Sequence, residues 1–292
     1  MAIILLKKDA QRYIIFSKNG YLCDMNIRDI QYNRYFLVVA DGENFPESAC
    51  KSAAVFAKGF NKGLALISLA EQNTEAFKQA SEAFFRQADY PFICEACTGA
   101  IEDLCDLTER TESPMLFIEI NPKGRFSKVM TWFKGLRDLR IPFILMKTGM
   151  EITDFDHILV PISYLVEEKE KGPYTSNMGR FLKSHIHLLQ AKDYGSKTPR
   201  NVADITALYD KFKESEPIEY SIVQASKDSF KVDREAVART AEFDAKMIVI
   251  STSRDYGLDD LFFGPKEQHV FQATTVPVMC INPRGDLYVL CW

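Results

Sequence analysis

The sequence predicts an α/β protein with two tandem, open, parallel sheets of five strands each and helices on both faces, a Rossmann-like fold. From Tyr35 onward, short apolar segments alternate with longer amphipathic segments, which is the pattern of βαβ units. The pattern then occurs a second time with similar apolar segments at matching places, which indicates an internal duplication. The 292 residues are too many for one average domain and fit two of about 130 to 150 residues.

The first copy is predicted to span residues 34–150. Both faces of a parallel sheet are covered, so its strands should be nearly continuous apolar segments, and Met115-Leu116-Phe117-Ile118 fits this expectation. We predict strands at Tyr35–Ala40, Leu64–Leu69, Pro91–Cys97, Met115–Ile120 and Pro142–Met146, and helices at Glu47–Phe60, Asn73–Ala88, Gly99–Thr108 and Ser127–Leu139.

The second copy is predicted to span residues 151–292, with a short carboxyl-terminal tail. Its segment Ile158-Leu159-Val160-Pro161 matches Phe36-Leu37-Val38-Val39 of the first copy, and Met247-Ile248-Val249-Ile250 matches Met115-Leu116-Phe117-Ile118. We predict strands at His157–Ile162, His185–Gln190, Ile218–Ser226, Met247–Ile250 and Pro277–Ile281, and helices at Thr175–Ser184, Val202–Lys213, Asp233–Phe243 and Pro265–Thr274.

Two segments stand apart from this repeat. Residues 1–33 precede both copies and contain two short strand-like segments, Ile3–Leu6 and Tyr13–Phe16, so we expect an extension that decorates the fold or forms an interface. The charge run Glu167–Lys171 follows the first strand of the second copy. A solvated loop is the favoured interpretation of that run, and a functional lid is the alternative.

Composition excludes several classes of protein. The formal net charge of −4 argues against nucleic-acid binding, which usually needs a basic surface. No apolar segment approaches the roughly 20 residues that span a bilayer, so we expect no membrane partner. Seven cysteines at irregular spacing do not form a disulfide framework, and a cytoplasmic location follows as an expectation.

A ligand crevice is expected where the sheet winding changes direction. Right-handed crossovers favour the strand order 3-2-1-4-5, and the crevice then opens at the carboxyl ends of the first and fourth strands. The residues that follow these strands are Asp41-Gly42 and Asn121–Arg125 in the first copy, and Ser163-Tyr164 and Ser251–Gly264 in the second.

The second copy resembles a known family in this region. Its segment Met247–Gly264, followed by a helix and by Val276-Pro277-Val278, is similar to the carboxyl-terminal signature of the universal stress protein family. The first copy is similar through Val38-Val39-Ala40-Asp41-Gly42 and its closing strand, which begins Ile141-Pro142. The resemblance covers about residues 34–283. It implies a tandem, stress-response protein.

Some members of that family bind ATP, through a carboxylate after the first strand and a loop Gly-x2-Gly-x9-Gly-Ser/Thr after the fourth. In the second copy Ser251, Arg254 and Pro265 occupy positions of that loop motif, and only Gly264 is retained. Ser163 stands in place of the carboxylate. A Cβ crowds the close approach of phosphate to backbone N–H groups that glycine permits.

The first copy shows the opposite departure. Asp41-Gly42 match the carboxylate end of the motif, but Val129 and Met130 stand where Gly-Ser would lie. We therefore expect a regulatory or ligand-sensing protein with degenerate ATP motifs, no cofactor and no catalytic activity. The alternative is an ATP- or AMP-binding protein with an atypical phosphate site and weak ATPase activity. A third hypothesis is a structural interaction module whose crevices are filled by side chains.

The candidate ligand-binding residues each have a competing structural interpretation. Asp41 either contacts a ribose or cation or stabilises a turn before Gly42. Arg254 either holds an anion or pairs with a neighbouring carboxylate. Glycines 257 and 264 fit turns as well as ligand contacts. The full set is Asp41, Gly42, Ser163, Ser251, Thr252, Arg254, Gly257 and Gly264.

Other reactive residue types indicate structural roles. Cys94 and Cys97 end a strand and are expected to be buried and inert. His185 and His187 share one face of a strand with no partner cluster in the sequence, so no metal site is expected. The expected partners are proteins and a small anionic or nucleotide ligand. By resemblance, the last strands of the two copies pair into an internal pseudo-dimer, and the chain forms a homodimer.

Overall fold

The computed structural model describes residues 6–8, 11–15, 35–70, 74–87, 92–96, 101, 103–121, 123, 129–150, 154–253 and 266–284. The chain divides into two compact units, Met1–Thr153 and Asp154–Trp292. None of the helices in the described ranges is long and apolar enough to cross a bilayer.

The first unit alternates strands and helices after a short amino-terminal strand pair. Its strands are β1 (Leu6–Lys8), β2 (Gln11–Ile15), β3 (Tyr35–Ala40), β4 (Gly63–Ser68), β5 (Phe92–Ala96), β6 (Leu116–Ile120) and β7 (Phe143–Lys147). Its helices are α1 (Glu47–Gly59), α2 (Glu75–Gln87), α3 (Asp103–Thr111) and α4 (Val129–Leu136).

The strand order of the first unit is β1-β2-β5-β4-β3-β6-β7. The five strands β5, β4, β3, β6 and β7 run parallel to one another. Each residue of β3 and β4 is buried, because helices cover both faces of these central strands. The core beside β3 is aromatic. The Phe36 ring makes edge contacts with Phe56, Phe60 and Phe117 at centroid distances of 5.9, 5.4 and 6.1 Å.

The amino-terminal extension joins the sheet of the first unit. β2 pairs antiparallel with β5, with Ile14 opposite Cys94, and β1 pairs antiparallel with β2. The prediction of a purely parallel five-stranded sheet is therefore wrong for this unit. Antiparallel pairing satisfies the backbone groups that β5 would otherwise expose at the sheet edge.

The second unit repeats the alternation. Its strands are β8 (His157–Ile162), β9 (His185–Gln190), β10 (Tyr220–Gln224), β11 (Met247–Ser251) and β12 (Val278–Ile281). A 3-10 helix at Val166–Glu170 leads into α5 (Lys171–Phe181), and the later helices are α6 (Lys197–Asp210), α7 (Val232–Ala238) and α8 (Lys266–Ala273).

The strands of the second unit are arranged β12-β11-β8-β9-β10, and all of their pairings are parallel. The α/β class is confirmed, whereas two separate sheets of five parallel strands are not. Four non-glycine residues with positive φ, Asn61, Glu112, Lys183 and Asp244, precede the second and fourth strands of each five-strand series. The two units therefore turn from helix to strand in the same way.

Candidate functional site

A small crevice in the first unit lies at the carboxyl ends of β3 and β6, which are neighbours in the sheet. This is the place that the predicted strand order assigns to a ligand. The lining residues are Val39, Ala40, Asp41, Asn44, Phe45, Pro46, Glu119, Asn121 and Trp132.

Asp41 stabilises its own turn in this crevice. Its Oδ1 accepts hydrogen bonds from the backbone N–H groups of Glu43 (2.9 Å) and Asn44 (2.8 Å), and Oδ2 accepts one from the Asn44 side chain. Gly42 has φ of 82°, a conformation that glycine adopts without steric cost. Asp41 and Gly42 therefore stabilise a turn, which is one of the two roles expected for them.

Glu119 is a site residue that the sequence analysis missed. Its Oε2 accepts a hydrogen bond from the backbone N–H of Ala49 (3.1 Å), in the first turn of α1. Burial raises the pKa of Glu119, although hydrogen bonds from Ala49, Thr148 and Ser48 act in the opposite direction. Because carboxylates of Asp41 and Glu119 both line the crevice, it is ill suited to a phosphate group.

In the second unit, the end of β8 is filled by a buried ion pair. Lys171 is fully buried, and its Nζ donates to the backbone carbonyl of Pro161 (2.6 Å) and to Glu168 Oε2. Ser163 donates to Glu168 Oε1 at 2.9 Å. Glu168 is only 2% exposed. The prediction of a solvated loop at Glu167–Lys171 is wrong, because β8 itself supplies the polar partners that this charge pair needs.

The end of β11 carries the next two candidate residues. Ser251 is buried, and its Oγ has no hydrogen-bond partner within the described ranges. Thr252 donates to Asn282 Oδ1 at 2.7 Å, just after β12. β11 and β8 are adjacent, so the fold brings Ser163, Ser251 and Thr252 to the same edge of the sheet.

The remaining candidates, Arg254, Gly257 and Gly264, lie outside the described residues, and so does Cys97. The α8 helix that follows them contributes buried charge. Glu267 is 1% exposed and accepts a hydrogen bond from the backbone N–H of Ser253 (3.3 Å). Burial raises the pKa of Glu267 and that of the enclosed Cys280 thiol.

No protein-family model and no curated protein sequence matches the chain. Solved structures do match. A functionally unknown protein, PA1789, of Pseudomonas aeruginosa PAO1 aligns over 89% of this chain and 96% of its own, with a TM-score of 0.59 and 16% identity. A universal stress protein of Archaeoglobus fulgidus DSM 4304 aligns over 88% of this chain and 99% of its own, with a TM-score of 0.60 and 13% identity.

The chain has the universal stress protein fold. A universal stress protein in complex with cAMP also aligns with 45% of the chain, at a TM-score of 0.35 and 10% identity. Likeness at that level carries no information on the ligand of this chain. A universal stress protein fold does not by itself fix a function, which depends on the residues at the strand ends of each unit.

A second polar cluster lies at the opposite, amino-terminal ends of the strands in this universal stress protein fold. His157 begins β8, His185 begins β9, and His187 Nε2 lies 3.0 Å from His157 Nδ1. The rings of His185 and His187 stack at 4.4 Å. The interpretation that these histidines have no partner cluster is wrong, since His157 joins them from the neighbouring strand.

The histidine cluster has a consequence for stability. Burial, together with the neighbouring His185 and His157, lowers the pKa of His187 to about 4. Among the described residues, no group of three or more histidine, cysteine or acidic side chains is arranged to hold a metal ion. Protonation of His187 therefore opposes folding of the second unit.

We expect the second unit to lose stability as the pH falls from about 6.5 toward about 4. The unfolded chain takes up a proton on His187 near the ordinary pKa, while the folded chain resists it, so acid favours unfolding. Urea denaturation at a series of pH values measures the effect. His187→Gln should flatten the dependence and His269→Gln, on α8, should not. An unchanged slope in His187→Gln would contradict this assignment.

Proposed function

We propose that the chain is a regulatory or ligand-sensing member of the universal stress protein family that acts through protein partners rather than through bound ATP. One observation carries the proposal. The Lys171–Glu168 pair, bound to Ser163 and Pro161, occupies the end of β8 in the second unit. A nucleotide at that strand end would displace two buried charges from their partners, which is costly.

The first unit supports the same conclusion by a different route. Its predicted ligand carboxylate, Asp41, already accepts three hydrogen bonds within its own turn. The Glu119 carboxylate, which extends from β6, accepts a hydrogen bond at the amino terminus of α1, where a helix favours negative charge. An incoming phosphate would therefore compete with this carboxylate for the same positive end of the helix.

A second candidate function is nucleotide binding at an atypical phosphate site in the second unit. The Ser251 hydroxyl favours it, because a buried polar group without a partner is uncommon and is satisfied when a ligand binds beside it. Arg254 would supply the phosphate contact in this alternative.

Calorimetric titration with ATP, ADP and AMP tests the choice, together with mass spectrometry of small molecules extracted from the purified chain. We expect no co-purified nucleotide and no binding heat up to roughly millimolar nucleotide. Tight binding that Ser251→Ala weakens would overturn the proposal in favour of the second candidate. Ser215→Ala, at an exposed serine beyond α6, is the matched control.

The absence of catalytic activity, a cytoplasmic location, the internal pairing of the two copies and a homodimer remain predictions. Light scattering of the purified chain measures its oligomeric state. Hydrolysis assays with ATP measure the catalytic prediction, and phosphate release above that of a protein-free blank would contradict it.

A further inference from the structure

An exposed apolar surface lies at the carboxyl ends of β8, β9 and β10 in the second unit. Tyr194 in the loop after β9 is fully exposed, and Phe230 in the loop after β10 is 81% exposed. Leu165 and Val166, which follow β8, are 41% and 52% exposed. Large aromatic side chains at this exposure are typical of sites that bind a partner.

The three loops that carry these side chains are joined by hydrogen bonds. Asp193 accepts bonds from the backbone N–H of Ser229 (3.0 Å), from the Ser229 hydroxyl and from Thr198 (2.6 Å). Tyr164 N–H donates to Ser229 Oγ at 2.8 Å, and Lys192 N–H donates to the Lys227 carbonyl at 2.7 Å. The surface is thus organised before any partner binds, which lowers the entropic cost of association.

Exposed basic residues lie in the same loops or in the first turns of the helices that follow them. In the described part of the chain none of them forms an ion pair, and all are exposed: Lys192, Lys197, Arg200, Lys227, Lys231 and Arg234. Four carboxylates lie in the same segments, Glu167, Asp193, Asp228 and Glu235, and a fifth, Asp233, pairs with Lys266. The six basic residues outnumber those four, so the surface carries a small excess of positive charge in a chain whose net charge is −4.

We propose that this aromatic–basic surface, formed by the four apolar and six basic residues named above, docks an acidic protein segment that carries apolar side chains. Exposed lysines and arginines match an acidic partner, and the aromatic side chains supply the apolar anchors that dominate binding energy at protein interfaces. The inference deepens the proposed function, on which it rests, by giving the partner a chemistry. The net negative charge of the whole chain disfavours an extended polyanion such as nucleic acid.

Fluorescence anisotropy with a synthetic peptide of repeated Glu-Leu-Glu-Phe tests the proposal on the full chain. We expect saturable binding that weakens as salt is added, because exposed charges are screened. The double variant Tyr194→Ser/Phe230→Ser should bind at least about tenfold more weakly. The double variant Lys192→Glu/Lys227→Glu should weaken binding and also reduce its dependence on salt.

Matched controls separate this surface from the rest of the second unit. The exposed residues Ile222 on β10 and Lys211 after α6 lie outside the surface, so Ile222→Ser/Lys211→Glu should bind the peptide as the parent does. A Lys-Leu-Lys-Phe peptide should not bind. Circular dichroism melting of each variant verifies that it is folded.

Three results would overturn the inference: no binding of the acidic peptide, equal binding by the surface variants, or tighter binding of phosphatidylserine vesicles or single-stranded DNA through the same residues. Nucleotide calorimetry on the same preparation distinguishes failure of the docking surface from failure of the proposed function. Failure of the peptide without nucleotide binding defeats only the docking surface, whereas tight nucleotide binding defeats the proposed function.

Discussion

Replacing Lys171 with methionine is expected to lower the free energy of unfolding of the second unit by about 3–5 kcal/mol. Methionine fills most of the lysine volume, but it leaves the Glu168 carboxylate buried without its cation. The Pro161 carbonyl also loses its donor. Removing one partner of a buried pair is costly because the remaining charge keeps its desolvation penalty while it loses the compensating attraction.

Urea denaturation followed by circular dichroism measures this loss, and hydrogen exchange over β8 assigns it to the second unit. The double variant Lys171→Met/Glu168→Gln should recover part of the loss, since no unpaired charge remains. Lys51→Met is the matched control, because the Lys51–Glu47 pair is 54% and 64% exposed and worth less than about 0.5 kcal/mol. Equal effects of Lys171→Met and Lys51→Met would show that the Lys171–Glu168 pair is not buried.

Phe36→Ala is expected to destabilise the first unit by a comparable amount, about 3–5 kcal/mol. Phe36 is fully buried on β3, and its ring meets Phe56, Phe60 and Phe117 edge-on. The substitution removes the ring's transfer free energy and leaves a cavity, and the neighbouring rings cannot fill it without leaving their rotamers.

The buried Trp132 on α4 reports unfolding of the same unit by fluorescence, with Trp292→Phe as a background change that removes the other tryptophan. Lys58→Ala provides the comparison in the same unit, because Lys58 is exposed on α1 and its loss should change stability by less than about 0.5 kcal/mol. A loss below about 1 kcal/mol in Phe36→Ala would indicate that the aromatic core readily collapses around the gap.

The central strands were predictable from the sequence, whereas two helix starts were not. β3 has the predicted bounds because a strand covered on both faces must be apolar throughout. In contrast, α5 begins at Lys171 rather than at Thr175, and α6 at Lys197 rather than at Val202. Each of these helices has a proline in its first turn, Pro173 in α5 and Pro199 in α6, and proline is tolerated there because its missing N–H would have no partner.

The charged parts of the sites depend on contacts that no local pattern reveals. Glu168 and Lys171 look like a solvated charge run until Ser163 and the Pro161 carbonyl are placed beside them. His157 meets His187 only because β8 and β9 are neighbours. Glu119 could have been found from the sequence, because a carboxylate within the apolar segment Met115–Ile120 requires a buried partner.

The strand order expected for the second unit is confirmed, and it brings three of the candidate residues to one edge of the sheet. Ser163, Ser251 and Thr252 lie at the ends of neighbouring strands, as the expected winding requires. Their hydrogen bonds to Glu168 and Asn282, by contrast, come from side chains that the sequence did not associate with them. Strand order follows from general rules of handedness, whereas side-chain partners depend on the particular packing.

The amino-terminal strand pair also makes the two units unequal in how they resist self-association. β2 shields β5 in the first unit, while β10, the equivalent strand of the second unit, pairs with β9 alone among the described strands. An unshielded strand can accept a strand from another chain. The first unit ends instead in β1, which has only three residues and pairs with β2 alone among the described strands, and so short an edge is a poor template for another chain. The second unit therefore offers the longer free edge for chain-to-chain sheet extension, and a short strand pair grafted beside β10 would protect it.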